Sequence, residues 1–223
     1  MKTATLNYTV LALLVLVSLY YVSTNVFHYF DFSLPNNRLN VNPFRPLLLV
    51  HIAAGTVAIL AGPLQFIRAV RNRYLRWHRI LGKVYLIAVL IGGISGLYMA
   101  VFDNILAKNE IPFGTGIVGL SVAWLLTSGL AFWAIKNGNV SHHRDWMIKS
   151  YVVTCGFTTF RLMLRLLPAY LDVTPGERAG IIAWACWSVP LLLTDVILQA
   201  QKLAKQKSRT VNPRILAPSL KAN

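Results

Sequence analysis

Apolar residues fall into six long runs along this chain, separated by polar connections. The runs cover Leu6–Thr24, Leu47–Phe66, Ile80–Phe102, Gly114–Ile135, Trp146–Leu167 and Ala179–Gln199. Each approaches the roughly 20 residues a helix needs to cross a bilayer core. Gly and Pro inside such runs are compatible with membrane helices. The pattern predicts an all-α, polytopic membrane helix bundle with six transmembrane helices. One transmembrane domain spans residues 1–200, and a basic tail at 201–223, carrying Pro213 and Pro218, is expected to be disordered.

The connections sort by charge. Arg68, Arg71, Arg73, Arg76 and Arg79 lie between the second and third runs, and Lys136, Arg144 and Lys149 around the junction of the fourth and fifth. The tail adds Lys202, Lys205, Lys207, Arg209, Arg214 and Lys221. With six spans, all of these fall on one side. The other side mixes Arg38, Arg45, Lys108 and Arg178 with Asp31, Asp103, Glu110, Asp172 and Glu177. The positive-inside rule places the basic side, and therefore both termini, in the cytoplasm. A plasma-membrane protein facing anionic headgroups on that side is the expectation. Lys2 before an apolar run also has the outline of a signal peptide, but the run is long and no A-x-A-like site follows it. An uncleaved first helix is the favoured reading.

Composition agrees. The chain of 223 residues is 56% hydrophobic and 13% charged, half the charged fraction usual in soluble domains. Its mean hydropathy is +0.54. The net charge of +15 does not point to nucleic acid, because the basic residues flank apolar runs and form no separate domain. Cys155 and Cys186 both lie inside apolar runs, so no disulfide framework is expected.

The third run opens with His78-Arg79, Lys83 and Tyr85, and the fifth with His143-Arg144, Lys149 and Tyr151. This suggests duplicated hairpins related by an axis along the membrane normal. Similar interfacial anchors at two helix ends would produce the same likeness.

Helical spacing gathers His51, Gly55, Ala58, Gly62 and Gln65 on one stripe of the second run, and small residues there let a neighbouring backbone approach closely. The fifth run places Tyr151, Thr154, Thr158, Arg161 and Arg165 on one face. An arginine near the bilayer centre costs about 2.5–3.5 kcal/mol and usually faces the bundle interior. At 1.5 Å per residue from Leu167, Arg161 lies about 9 Å inside the boundary. Arg165 is shallower, where snorkelling to the interface suffices. His51, Arg161 and Arg165 are therefore candidates for one cationic pocket open to the outer leaflet, suited to a propionate, phosphate or carboxylate. Asp103, Asp172 or Glu177 would neutralise the arginines in the competing reading.

At the basic end the candidate polar cluster is His78, Arg79, His143, Arg144 and Asp195, with Arg79 or Arg144 as partners for Asp195. There it reads as ion pairs clamping helix ends or, less simply, as a proton relay. His78 and His143 share a depth but sit shallow for a buried haem. His51 is the candidate axial ligand, with Arg161 or Arg165 on a propionate. No H-E-x-x-H, P-loop or G-x-S-x-G occurs, so zinc, nucleotide and ester chemistry have no visible machinery.

The ordered set His51-Ile-Ala-Ala-Gly55, Gly62-Pro-Leu-Gln65-Phe, His78-Arg79-x-x-Gly82-Lys-x-Tyr85, His143-Arg-x-Trp146-Met-x-Lys-Ser150-Tyr151 and Arg161 resembles the bacterial "predicted membrane protein" family of unknown function. The resemblance covers Leu47 to Leu167. It implies a polytopic membrane protein, makes His51, Gln65, His78, Arg79, His143, Arg144 and Arg161 the matching motif positions, and implies no established activity. A more distant likeness to transmembrane di-haem cytochromes lacks their two His pairs at two depths. The residues favour binding or transport of a small anionic or lipid-like ligand by His51 and Arg161, with Arg165 and Gln65 as further candidates. A haem- or quinone-linked redox protein and a ligand-free assembly factor are the alternatives.

Overall fold

The computed structural model describes residues 2–30, 43–167 and 173–211. Helix α1 (Lys2–Asn25) is followed by a 3₁₀ turn at Phe27–Phe30. Next come α2 (Arg45–Phe66), the short α3 (Arg68–Asn72) and α4 (Leu75–Met99), which continues as a π-helical segment over Ala100–Ala107. Helices α5 (Ile111–Lys136), α6 (Val140–Thr154), α7 (Gly156–Leu166) and α8 (Pro175–Val211) complete the bundle. No strand occurs among the described residues.

Four segments are both long and apolar enough to cross a membrane: Arg45–Phe66, Leu75–Ala107, Ile111–Lys136 and Pro175–Ala204. The expected first span coincides with the 24-residue α1. The expected fifth span, Trp146–Leu167, is instead two helices that meet at Cys155, of 15 and 11 residues, each short of a full crossing. The break has a local cause. The Thr154 hydroxyl bonds back to the Ser150 carbonyl at 2.9 Å and that of Thr159 to the Cys155 carbonyl at 3.1 Å, with Gly156 between them. Such back-bonding beside glycine bends helices. Six spans were expected; four meet both criteria among the described residues.

Helix ends follow local chemistry. Thr174 and Glu177 form a capping box before α8: the Thr174 hydroxyl donates to the Glu177 carboxylate at 2.7 Å and accepts from the Glu177 N–H at 3.3 Å. Gly138 turns the chain between α5 and α6 with φ 73°. The tail expected to be disordered from residue 201 is helical as far as Val211, in a stretch of strong helix formers; residues 212–223 lie outside the described ones.

Packing is dominated by α2 against α4 and by α5 against α6 and α8. The core holds Tyr85, Val89, Leu120, Trp124, Tyr151, Phe160 and Ile182. Large apolar side chains such as Ile87, Leu90 and Ile94 on α4, and Leu192, Leu193 and Val196 on α8, point outward as a lipid-facing surface requires. One end of the bundle gathers the basic residues around α3, the α5–α6 turn and the end of α8. The other carries the π segment, the start of α8 and the end of α7.

Proline shapes the contact between the two hairpins. Pro63 inside α2 has no N–H, so it cannot bond the Ile59 carbonyl four residues earlier. The Tyr151 hydroxyl, from α6, donates to that carbonyl at 3.2 Å. Gly62 makes the approach feasible, because a Cβ there would overlap the Tyr151 ring. The orphaned backbone acceptor thus receives its hydrogen bond from another helix, as a dry interior demands.

Candidate functional site

Histidine 51 rests against α4. Its Nδ1 lies 2.8 Å from the Gly92 carbonyl, which can only accept, so Nδ1 carries the proton and donates. A Cβ on Gly96 would stand 2.9 Å from His51 Cε1, so a glycine at that position lets the imidazole lie this close. Phe157 meets the ring edge-on at 5.8 Å between centroids. The Nδ1–Cε1 edge is therefore held on α4, and the Nε2 edge faces away. Nε2 has no protein partner among the described residues.

Arg161 projects from α7 and is partly buried. Its Nη2 donates to the Tyr29 hydroxyl at 2.9 Å, tying the 3₁₀ turn after α1 to α7. Among the described residues no carboxylate lies within ion-pair distance of it. Asp103 is engaged with Lys108 at 2.7 Å and Glu177 belongs to the α8 cap. Asp31 and Asp172 lie outside the described residues.

His51 and Arg161 line one cavity of about 330 Å³, together with Tyr29, Asp103, Phe113 and Phe157. Tyr21 and Asn25 of α1, with Val26 just after it, form another wall, and the π segment contributes Ala100 and Asn104. π-helical turns often mark functional sites because they re-aim side chains; here the turn brings Asp103 and Asn104 to the cavity. Most of the lining surface is apolar and aromatic, and Asn25, Thr56, Asn104 and Lys108 add polar groups beside His51, Asp103 and Arg161.

Two other candidates do not join this cavity. Arg165 is exposed on α7 and is not among the lining residues. Gln65 lies towards the basic end. With its amide oriented to satisfy both neighbours, it donates to His78 Nδ1 at 2.8 Å and accepts from the Gly82 N–H at 3.2 Å. One α-helical stripe holds both His51 and Gln65, but the helix length separates them along the membrane normal.

The basic-end residues are engaged in packing and pairing. His143 Nδ1 donates to the Ala131 carbonyl at 2.8 Å. Asp195 pairs with Lys149 at 2.6 Å, rather than with Arg79 or Arg144. Arg144 approaches Asp145 at 3.4 Å, Lys202 does so at 2.9 Å, and Arg79 is exposed. Burial alone would raise the Asp145 carboxyl, but Lys202 and Arg144 outweigh it and hold its pKa below the usual carboxylate value.

Between the two ends runs a buried hydroxyl chain. Thr154 Oγ1 donates to the Ser150 carbonyl and accepts from Trp124 Nε1 at 2.8 Å. Its proton is thereby committed, so Tyr85 must donate to Thr154 at 2.8 Å. Tyr85 then accepts from Ser150 at 2.7 Å, and Ser150 accepts from Ser128 at 2.7 Å. The direction is single: Ser128 to Ser150 to Tyr85 to Thr154 to a backbone carbonyl. A chain that ends on a carbonyl locks α4, α5 and α6 together and offers no onward path for a proton.

Tyr29 and Phe157 are not singled out by the sequence, and Asp103 enters there only as one of three acids that would neutralise the arginines. Tyr29 sits in an aperiodic connection, and Phe157, one turn before Arg161, has no polar group to set it apart from other apolar residues of the run. Gly96 is legible as part of a Gly92-xxx-Gly96 spacing in the third run, which suits close helix packing. No curated protein and no solved structure matches the chain. Residues 48–198, which contain His51 and Arg161 but not α1, match the family described as "Predicted membrane protein" (DUF2306), and the chain belongs to that family.

Proposed function

We propose that this membrane protein binds a small amphiphile with an anionic head, and holds or moves it through the cavity between α1, α2, α4 and α7. The observation that carries the reading is Arg161. It lines an apolar cavity beside His51 while the nearest described acid, Asp103, is engaged by Lys108. A guanidinium in such surroundings gains from an anionic oxygen, which it meets with a fork of donors. The volume, about 330 Å³, is at the lower end of the 300–1,000 Å³ range of ligand pockets. It suits a single acyl chain or a small head better than a two-chain lipid. We assign the cavity end to the outer leaflet and the basic end to the cytoplasm of a plasma membrane, on the charge asymmetry.

The test is thermal unfolding of detergent-purified protein with decanoate. Ligand at about 100 times its Kd stabilises by about 2.7 kcal/mol. Arg161→Ala should abolish the shift, Arg161→Lys should retain part of it, and Arg165→Ala should leave it unchanged. A shift that survives Arg161→Ala refutes the proposal.

One observation favours the redox alternative. A histidine that donates its Nδ1–H to a carbonyl and keeps Nε2 free is arranged as metal-bound histidines are. The cavity size weighs against a macrocycle, and among the described lining residues His51 is the one histidine. A Soret band in protein purified from haem-replete cells, lost in His51→Ala, would decide for haem.

A further inference from the structure

The His51 tautomer specifies what the ligand must carry beyond its anionic head. Because Nδ1–H is committed to the Gly92 carbonyl, Nε2 of the neutral imidazole is an acceptor with a lone pair and no proton. The ring cannot easily turn to exchange the two nitrogens. Gly96 lies under Cε1, Phe157 meets the ring edge-on, and Ser95 Oγ, 3.5 Å from Nδ1, spends its own proton on the Ile91 carbonyl at 2.7 Å. Nε2 therefore presents a fixed acceptor to an apolar cavity. Arg161, on the same cavity, presents only donors. A simple carboxylate or phosphate diester satisfies Arg161 but offers nothing to Nε2, whose lone pair it desolvates without giving a partner, at a cost.

We propose that the cavity selects hydroxylated acids: amphiphiles with an anionic oxygen for Arg161 and a separate O–H that donates to His51 Nε2. This rests on the proposed anion-binding role of Arg161 and adds a specificity residue, His51, with a defined polarity. A site with a buried group committed to a ligand hydroxyl rejects the analogue lacking it, because the protein atom is left without a partner.

Decanoate and 3-hydroxydecanoate share charge and chain length and differ by one hydroxyl, so the full-length protein in detergent can be titrated with each. The hydroxy acid should bind about 10- to 100-fold more tightly, the range expected for one buried hydrogen bond. His51→Phe keeps an aromatic ring without an acceptor. It should bring the two affinities together by weakening binding of the hydroxy acid. His51→Gln restores an acceptor and should recover part of the preference, which also guards against a folding defect in the phenylalanine variant. Equal affinities in the unaltered protein, or a preference that persists in His51→Phe, overturns the inference and leaves the Arg161 reading standing. Failure of both acids to bind the unaltered protein overturns the Arg161 reading and this inference with it.

Discussion

Replacing Tyr151 with Phe removes one oxygen and keeps the ring seated on Gly62 and Phe66. What is lost is the hydrogen bond to the Ile59 carbonyl, which Pro63 leaves without a helical donor, together with a longer one to the Ser18 hydroxyl at 3.3 Å. An unsatisfied buried acceptor costs about 1–3 kcal/mol, while hydrogen bonds in membrane proteins average about 0.6 kcal/mol with a maximum near 1.7. Pro63 has no N–H to replace the lost donor and Tyr151 is 5% exposed, so the upper part of the membrane range applies, about 1–1.5 kcal/mol. Pro63→Ala restores an N–H four residues after Ile59. In that background Tyr151→Phe should cost about 0.5 kcal/mol or less, because the carbonyl regains a helical partner. The assay is reversible unfolding in mixed micelles for the unaltered protein, both single variants and the double variant. The coupling energy should be at least about 0.5 kcal/mol, above the additivity error of independent sites. Additive costs, or an undiminished loss in the Pro63→Ala background, would refute the claim that Tyr151 serves the carbonyl that proline orphans.

The directed hydroxyl chain predicts an order of damage. Ser128→Ala, at its start, should cost about 0.5–1 kcal/mol, and Ser150→Ala, which breaks two links, about twice that, as read by the same unfolding assay. Gly62→Ala should destabilise by about 1–3 kcal/mol through overlap with the Tyr151 ring, whereas Gly129→Ala, with open space at its Cβ, should be neutral or slightly stabilising. Asp145 has a folded pKa below its ordinary value, so its pairing with Lys202 and Arg144 contributes stability above a pH of about 4 and loses it as pH falls through the folded pKa. Melting temperatures of the unaltered protein and Asp145→Asn should therefore converge on acidification from pH 6 to pH 3. For orientation, a fluorescent protein fused after Asn223 should fold and fluoresce, while alkaline phosphatase at the same place should be inactive.

Hydrophobic run lengths and the alternation of basic connections already define a helical membrane protein, because backbone in hydrocarbon must satisfy its own hydrogen bonds and helices do so locally. The same one-dimensional information marks Arg161 as an expensive residue that needs a reason to be where it is. It also places His51 on the small-residue stripe of α2. It does not reveal that Arg165 is exposed while Arg161, one turn earlier on the same helix, lines the cavity, because that depends on which other elements cover each turn of α7. Nor does it reveal the tautomer of His51, which depends on a carbonyl 41 residues away. The pairing of Asp195 with Lys149, and of Tyr151 with a carbonyl freed by Pro63, are likewise decisions of packing. Periodicity orders residues along one helix. Which faces meet, and which polar atoms remain for a ligand, is settled only when helices distant in sequence compete for the same few donors and acceptors.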